Sequence, residues 1–329
     1  MRRRAFGMAV ASLAAAAIRP AAAQEVSGPL VIYTSQLEPD AAATVEAFRR
    51  RHPNVQVEWI RAGTGQIMTR LRAEIAAGNP RPDLLLVADS LTFEGLKADG
   101  RLRPSPEVQV AGVPAAHVDP GRAYFGTKLI TTGIMHHVRA PFVPRGWADL
   151  LDARARNQVA MPSPAVSGAA AIHVQALVQN PALGWSYVER LVQNGVQARG
   201  GNGPVMQAVA GAERAFGIVI DYLPIRESAK GAPVRFIFPE DGVSAITEPA
   251  GILSTARNVP AAVAFLNFLL SPEGQLLAAS QGFLPADPSV PPPAGFPDPK
   301  TIKVMPFDSA RAAREQQETL RRFAQLVGG

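Results

Sequence analysis

Between Leu30 and Val87, short apolar runs alternate with helically spaced ones across brief connections. This rhythm restricts the fold more than any other feature, because strands joined so closely through helices lie parallel in one sheet with right-handed crossovers. Leu30 to Tyr33 reads as the first strand, and Ala41, Val45 and Phe48 share one face of the helix after it. Val55 to Ile60 is the second strand, and Gly63-Thr64-Gly65 turns the chain. Ile67, Leu71 and Ile75 then repeat at helical spacing until Gly78-Asn79-Pro80 stops them. Leu84 to Val87 is apolar throughout, as a strand covered on both faces requires.

Ligands of such sheets bind beyond the carboxyl ends of the strands. Thr34-Ser35-Gln36, Gly63-Thr64-Gly65 and Asp89-Ser90 stand at those ends and are expected to share one rim. Ala123 to His137 is a long β-rich segment that Thr131-Thr132-Gly133 is expected to interrupt, read as a crossing to a second alternation. There Val159-Ala160-Met161 is a strand, Ser167-Gly168-Ala169 caps a helix running to about Val178, and Phe216 to Ile220 is a buried strand ending at Asp221-Tyr222. Phe236 to Thr247 returns the chain, and Val263, Leu266, Leu269 and Leu270 line the next helix. A final helix from about Ser309 to Val327, with Leu320, Phe323 and Val327 on one face, is expected to pack on the second alternation.

At 329 residues and 47% hydrophobic content, the chain has enough apolar material for one or two sizeable cores, and two lobes fit its length best. Arg2 to Arg4, the mild apolar run Ala5 to Ile18 and Ala21-Ala22-Ala23 form the three parts of a signal peptide, residues 1–23, cleaved before Gln24. Arg3-Arg4-Ala5-Phe6 fits a twin-arginine signal, while a run of N-terminal arginines is equally ordinary for Sec export. The net charge of +6 is largely the leader's: without its four arginines, 29 basic face 27 acidic residues. That balance argues against nucleic acid as a partner. With no cysteine there is no disulfide, thiolate metal site or lipid-anchoring cysteine. A soluble, monomeric periplasmic protein is the expectation.

The chain contains no nucleophile-elbow G-x-S-x-G, no phosphate loop, no complete G-x-G-x-x-G and no H-E-x-x-H, so it is not expected to be an enzyme. His136 and His137 are adjacent in a strand and point to opposite faces, which excludes a shared metal. Two helix starts suggest anion capture instead, since unpaired backbone N–H groups and the positive dipole end attract negative charge. They are Gly63-Thr64-Gly65 and Ser167-Gly168-Ala169, where Thr64 and Ser167 offer hydroxyls and Gly65 and Gly168 permit close approach to the main chain; helix capping alone would also account for them. Asn202, in the turn Gly200 to Gly203, adds an amide. Asp221 offers a carboxylate for an ammonium group beside the Tyr222 phenol, and Glu240 follows Pro239 on the return loop.

VIYTSQ near the start, NPRPDLLLVADS, MPSPAVSGAA, GIVIDYL and the stretch Gly231 to Gln275 occur in the order of a known family. The chain resembles the periplasmic substrate-binding proteins of ABC importers, in the branch that binds ferric iron, thiamine or aminoethylphosphonate. The resemblance implies a type II periplasmic-binding-protein fold of class α/β: two lobes, each a mostly parallel sheet flanked by helices, joined by two hinge crossings. Residues 24–130 with 242–285 would form the first lobe and 131–241 with 286–329 the second. It also implies a membrane permease with its ATPase as partners. The solute expected is a small organic anion, a phosphonate, phosphate ester or carboxylate, held by Ser35, Thr64, Ser90, Thr132, Ser167 and backbone amides, with Asp221 or Glu240 reading a positive end. Ferric-binding relatives use two adjacent tyrosines and often a histidine after the first strand, where this chain has Tyr222-Leu223 and Leu37. Ferric iron on Tyr222, Asp221 and a bound anion is therefore the alternative solute. A periplasmic enzyme on the same scaffold is the reading from another class.

Overall fold

The computed structural model describes residues 25–328, and the expected leader lies outside them. The first half runs β1 (Gly28–Thr34), α1 (Glu38–Arg51), β2 (Val55–Arg61), α2 (Thr64–Ala76), β3 (Leu84–Leu86) and α3 (Ser90–Ala98). The long β4 (Phe125–His137) leads to β5 (Val159–Met161), α4 (Gly168–Gln179), α5 (Gly184–Gln193), β6 (Gln197–Ala198), α6 (Asn202–Ala210), β7 (Phe216–Ile220), α7 (Tyr222–Ala229) and β8 (Val234–Ile237). The chain returns through β9 (Ser244–Ile252) to α8 (Val259–Leu270), α9 (Pro272–Ser280) and β10 (Leu284–Pro285), and ends in α10 (Ser309–Leu326).

One sheet path, β2-β1-β3-β9-β4-β7-β5-β6, runs through both halves, with β8 and β10 paired to β4. Pairing is parallel within each half, β1 with β2 and β3, and β5 with β6 and β7. The halves are stitched by antiparallel β4 and β9. Buried Leu30, Ile32, Phe48, Val57 and Phe265 belong to the core of the first half, where Phe48 meets Phe265 edge-on at 4.9 Å. Covering one such ring is worth about 1.5–3 kcal/mol.

The expected break at Thr131-Thr132-Gly133 is absent, because β4 is continuous there. Its glycine has a packing reason: a Cβ on Gly133 would stand 2.6 Å from the Phe236 ring, which lies on β8 across the pair. The irregularity falls earlier. Gly126 pairs with Pro249 and Leu129 with Thr247, so Thr127 and Lys128 together oppose the single residue Glu248, a β-bulge.

The terminal helix does more than pack on the second half. Its buried residues are Ala312, Thr319 and Phe323, a stripe at helical spacing. The Gln175 amide on α4 donates to the Ala312 carbonyl, while Gln316 reaches Asp89 at the start of α3 with a 3.4 Å bond. The helix thus straps the second half to the first. No single helix among the described residues is long and apolar enough to cross a membrane.

Candidate functional site

A cavity of about 510 Å³ opens where the carboxyl ends of both sets of parallel strands meet. Ser35 after β1, Arg61 at the end of β2, Ala88 after β3 and Ile220 at the end of β7 all line it. Five helices begin on its wall, α1, α2, α4, α6 and α7. Their first-turn N–H groups have no intrahelical partners, so the cavity is electropositive before any side chain is counted. Ser35 Oγ accepts from the Ala88 N–H at 3.0 Å, and Asn202 Nδ2 donates to Ser167 Oγ at 3.2 Å. Ser167 also caps α4 through the Ala170 N–H.

Opposed loops meet across the mouth. The Gly65 N–H donates to the Val166 carbonyl at 3.3 Å. A Cβ on Gly63 would stand 2.6 Å from that same oxygen, one on Gly65 would overlap the Ala165 carbonyl, and one on Gly168 would lie 2.5 Å from the Ala88 carbonyl. These glycines admit the facing loop, where the sequence pattern had suggested the approach of a ligand. The rims are in contact, as a shut cleft requires.

Of the residues singled out in the sequence, Ser35, Thr64, Ser167, Gly168, Asn202 and Tyr222 line the cavity. Thr64 is buried and does not cap; Gly63 holds that position. Asn202 opens α6 instead of sitting in a free turn. The Tyr222 ring lies against Phe283, centroids 4.0 Å apart, and its hydroxyl bonds to none of the described residues. Burial raises that phenol well above its ordinary pKa.

Gly65, Ser90, Thr132, Asp221 and Glu240 are not on the cavity wall. Gly65 is in the seam just described. Asp89, one residue before Ser90, caps α3 through the Leu91 and Thr92 N–H groups, and Ser90 begins the helix facing elsewhere. Thr132 is buried in the sheet between β7 and β9. Asp221 turns inward: one oxygen accepts from Thr131 N at 2.9 Å and Thr131 Oγ1 at 2.7 Å, the other from Tyr222 N at 2.7 Å. With no cation beside it, burial pushes its pKa up to about 7. Glu240 is exposed and pairs with Arg145 at 2.7 Å.

Over residues 29–284 the chain matches the family described as bacterial extracellular solute-binding protein. It belongs to that family. An uncharacterized protein of Haemophilus influenzae is 26% identical over 94% of this chain and 93% of its own length. The fold is also that of AfuA from Actinobacillus pleuropneumoniae, a periplasmic binding protein solved with fructose-6-phosphate (TM-score 0.82, 21% identity, 92% of this chain and 99% of that one). Iron-bound HitA from Pseudomonas aeruginosa is similar too (TM-score 0.75, 21% identity, 90% and 99%). The two-lobed type II periplasmic-binding-protein fold is thereby shown.

In this solute-binding protein the cavity also carries residues beyond those expected from the sequence. Arg61 is a cationic side chain on the wall: its Nε donates to the Gln36 carbonyl at 2.8 Å, and its terminal nitrogens bond to none of the described residues. The signal was present, since Arg61 ends a parallel strand next to a glycine turn. Gln36 and Glu248 are buried and line the same wall, joined by a 3.2 Å bond. Glu248 is ion-paired to the buried Lys128 at 2.7 Å, and nothing in the local sequence signals that pairing.

Proposed function

We infer that this solute-binding protein captures a small organic anion in the cavity between its lobes and delivers it to an inner-membrane ABC permease with its ATPase. The observation that carries this reading is the Arg61 guanidinium on a wall where five helices begin. A charge-assisted bond to a phosphate, phosphonate or carboxylate oxygen there is reinforced by hydroxyls of Ser35, Thr64 and Ser167 and by free backbone N–H groups. AfuA, whose solved form holds a phosphate ester, supports an anion of this kind. Periplasmic residence after loss of the leader follows from the same role. So do the lobes expected from the sequence, residues 24–130 with 242–285 and 131–241 with 286–329, closing as rigid bodies on the solute.

Ferric iron is the weaker reading. The Tyr222 phenol lines the cavity, but burial favours its protonated form, and both Asp221 oxygens are engaged away from it.

Titration calorimetry with phosphate esters, phosphonates and carboxylates tests the anion reading. Binding is expected, and Arg61→Gln should weaken it about 10- to 100-fold, the scale of one charge-assisted bond. Gly65→Ala, which places a methyl on the Ala165 carbonyl, should weaken it as well by holding the cleft open. Silence toward every anion, together with stoichiometric ferric binding and a charge-transfer band lost in Tyr222→Phe, would replace this reading with the iron one.

A further inference from the structure

The β-bulge at Thr127 and Lys128 has a functional consequence. Bulges re-aim side chains. Here the irregularity sets two β4 residues against Glu248; the Thr127 hydroxyl fastens the Glu248 carbonyl at 2.7 Å, and the Lys128 ammonium meets the Glu248 carboxylate at 2.7 Å. Both ionised side chains are 3% exposed. A buried pair of this kind costs more desolvation than it returns unless further hydrogen bonds complete it.

Only part of the completion comes from the protein. The Gln36 amide donates to Glu248 Oε2, the same oxygen that faces Lys128, and Oε1 accepts no hydrogen bond from the described residues. Glu248 lines the cavity and Lys128 does not. An acceptor without a protein donor, on a side chain that is 3% exposed and lines the cavity, is placed to meet a ligand group. Gln36 fixes where that group is relative to the anion, because its carbonyl holds Arg61 while its side-chain amide holds Glu248.

The geometry points to Glu248 as a specificity-determining residue that accepts a hydrogen bond from a hydroxyl on the solute, so that the captured molecule is a compact hydroxylated oxyanion. This rests on the anion reading given above. A hydroxyl suits the site better than an ammonium group because Lys128 already neutralises the carboxylate, leaving an acceptor without net charge to offer. A site built to bond a hydroxyl discriminates against the analogue that lacks it, since the acceptor, covered by the solute, is then left unpaired.

Matched pairs test it on protein stripped of retained solute: glycerol 3-phosphate against propyl phosphate, glycerate against propionate, and 2-aminoethylphosphonate against ethylphosphonate. Calorimetry should show at least about a ten-fold preference for the hydroxylated member of the first two pairs and none for the amine in the third. In Lys128→Met/Glu248→Met, which replaces the ion pair with apolar side chains of similar length, the hydroxyl preference should fall to about one. Circular dichroism and thermal unfolding confirm that the variant is folded. Equal binding within the hydroxyl pairs, a preference that survives in the double variant, or a gain from the amine instead would each overturn the assignment while leaving the anion reading standing. No binding of any of the six compounds would remove both.

Discussion

Asp221 and Glu248 are both buried acidic residues near the cavity, and they meet the cost of burial by opposite means. Asp221 has three hydrogen-bond donors and no cation, whereas Glu248 has a cation and an amide. The first arrangement suits a proton-binding brace, and burial pushes the group up to about 7. The second sets the carboxylate against the Lys128 ammonium and leaves an oxygen at the cavity wall. Position beside a binding site therefore does not make an acid part of it; the partners that satisfy it decide.

The sharpest way to break this contrast is to remove one charge. Glu248→Ala should lower the unfolding free energy by about 3–5 kcal/mol, because the Lys128 ammonium is left buried and unpaired. Urea unfolding measures this; the double methionine variant, which strands no charge, should cost far less, and an equal cost for the two would show that the pair is not ionised. Asp221→Ala comes next, at about 1–3 kcal/mol, since it strands the Thr131 N–H and hydroxyl without removing a countercharge.

The pH dependence of stability probes the same contrast. Asp221 has a folded pKa of about 7 against an ordinary 3.8, so the stability it contributes is complete below about 4 and is lost as pH rises through 7. His173, pushed down by burial to about 3 from 6.5, has the opposite slope: its contribution is complete above 6.5 and is lost as pH falls. The two oppose each other between these limits. In Asp221→Asn only the histidine slope remains, and unfolding free energy should rise with pH from 4 to 6.5 by up to about 1.4 kcal/mol per unit relative to wild type. Parallel profiles for the two proteins would show that Asp221 titrates normally.

The strands and helices of both halves were legible because their signals are local: β7 is apolar from Phe216 to Ile220, and Ser167 caps α4 as its position before Gly168 suggested. Ser35, Thr64 and Asn202 were found at the cavity for the same reason, since they follow strand ends or open helices. Asp221 was misplaced because adjacency to Tyr222 says nothing of Thr131, 90 residues earlier, which captures its carboxylate. Glu248 was overlooked because it lies inside an apolar strand, and only the β4 bulge brings Lys128 against it. Gly65 was credited to a ligand because the facing loop at Ala165 is distant in the chain.

Periodicity, capping and glycine turns act over a few residues, so the order of strands and helices and the polar loops at their ends are written in the local sequence. Which of those polar groups line the cavity depends on contacts between distant parts of the chain. Cross-strand register, a single inserted residue and the meeting of two loops join parts of the chain far apart in sequence, and a buried acid takes its role from whichever of them supplies its donors.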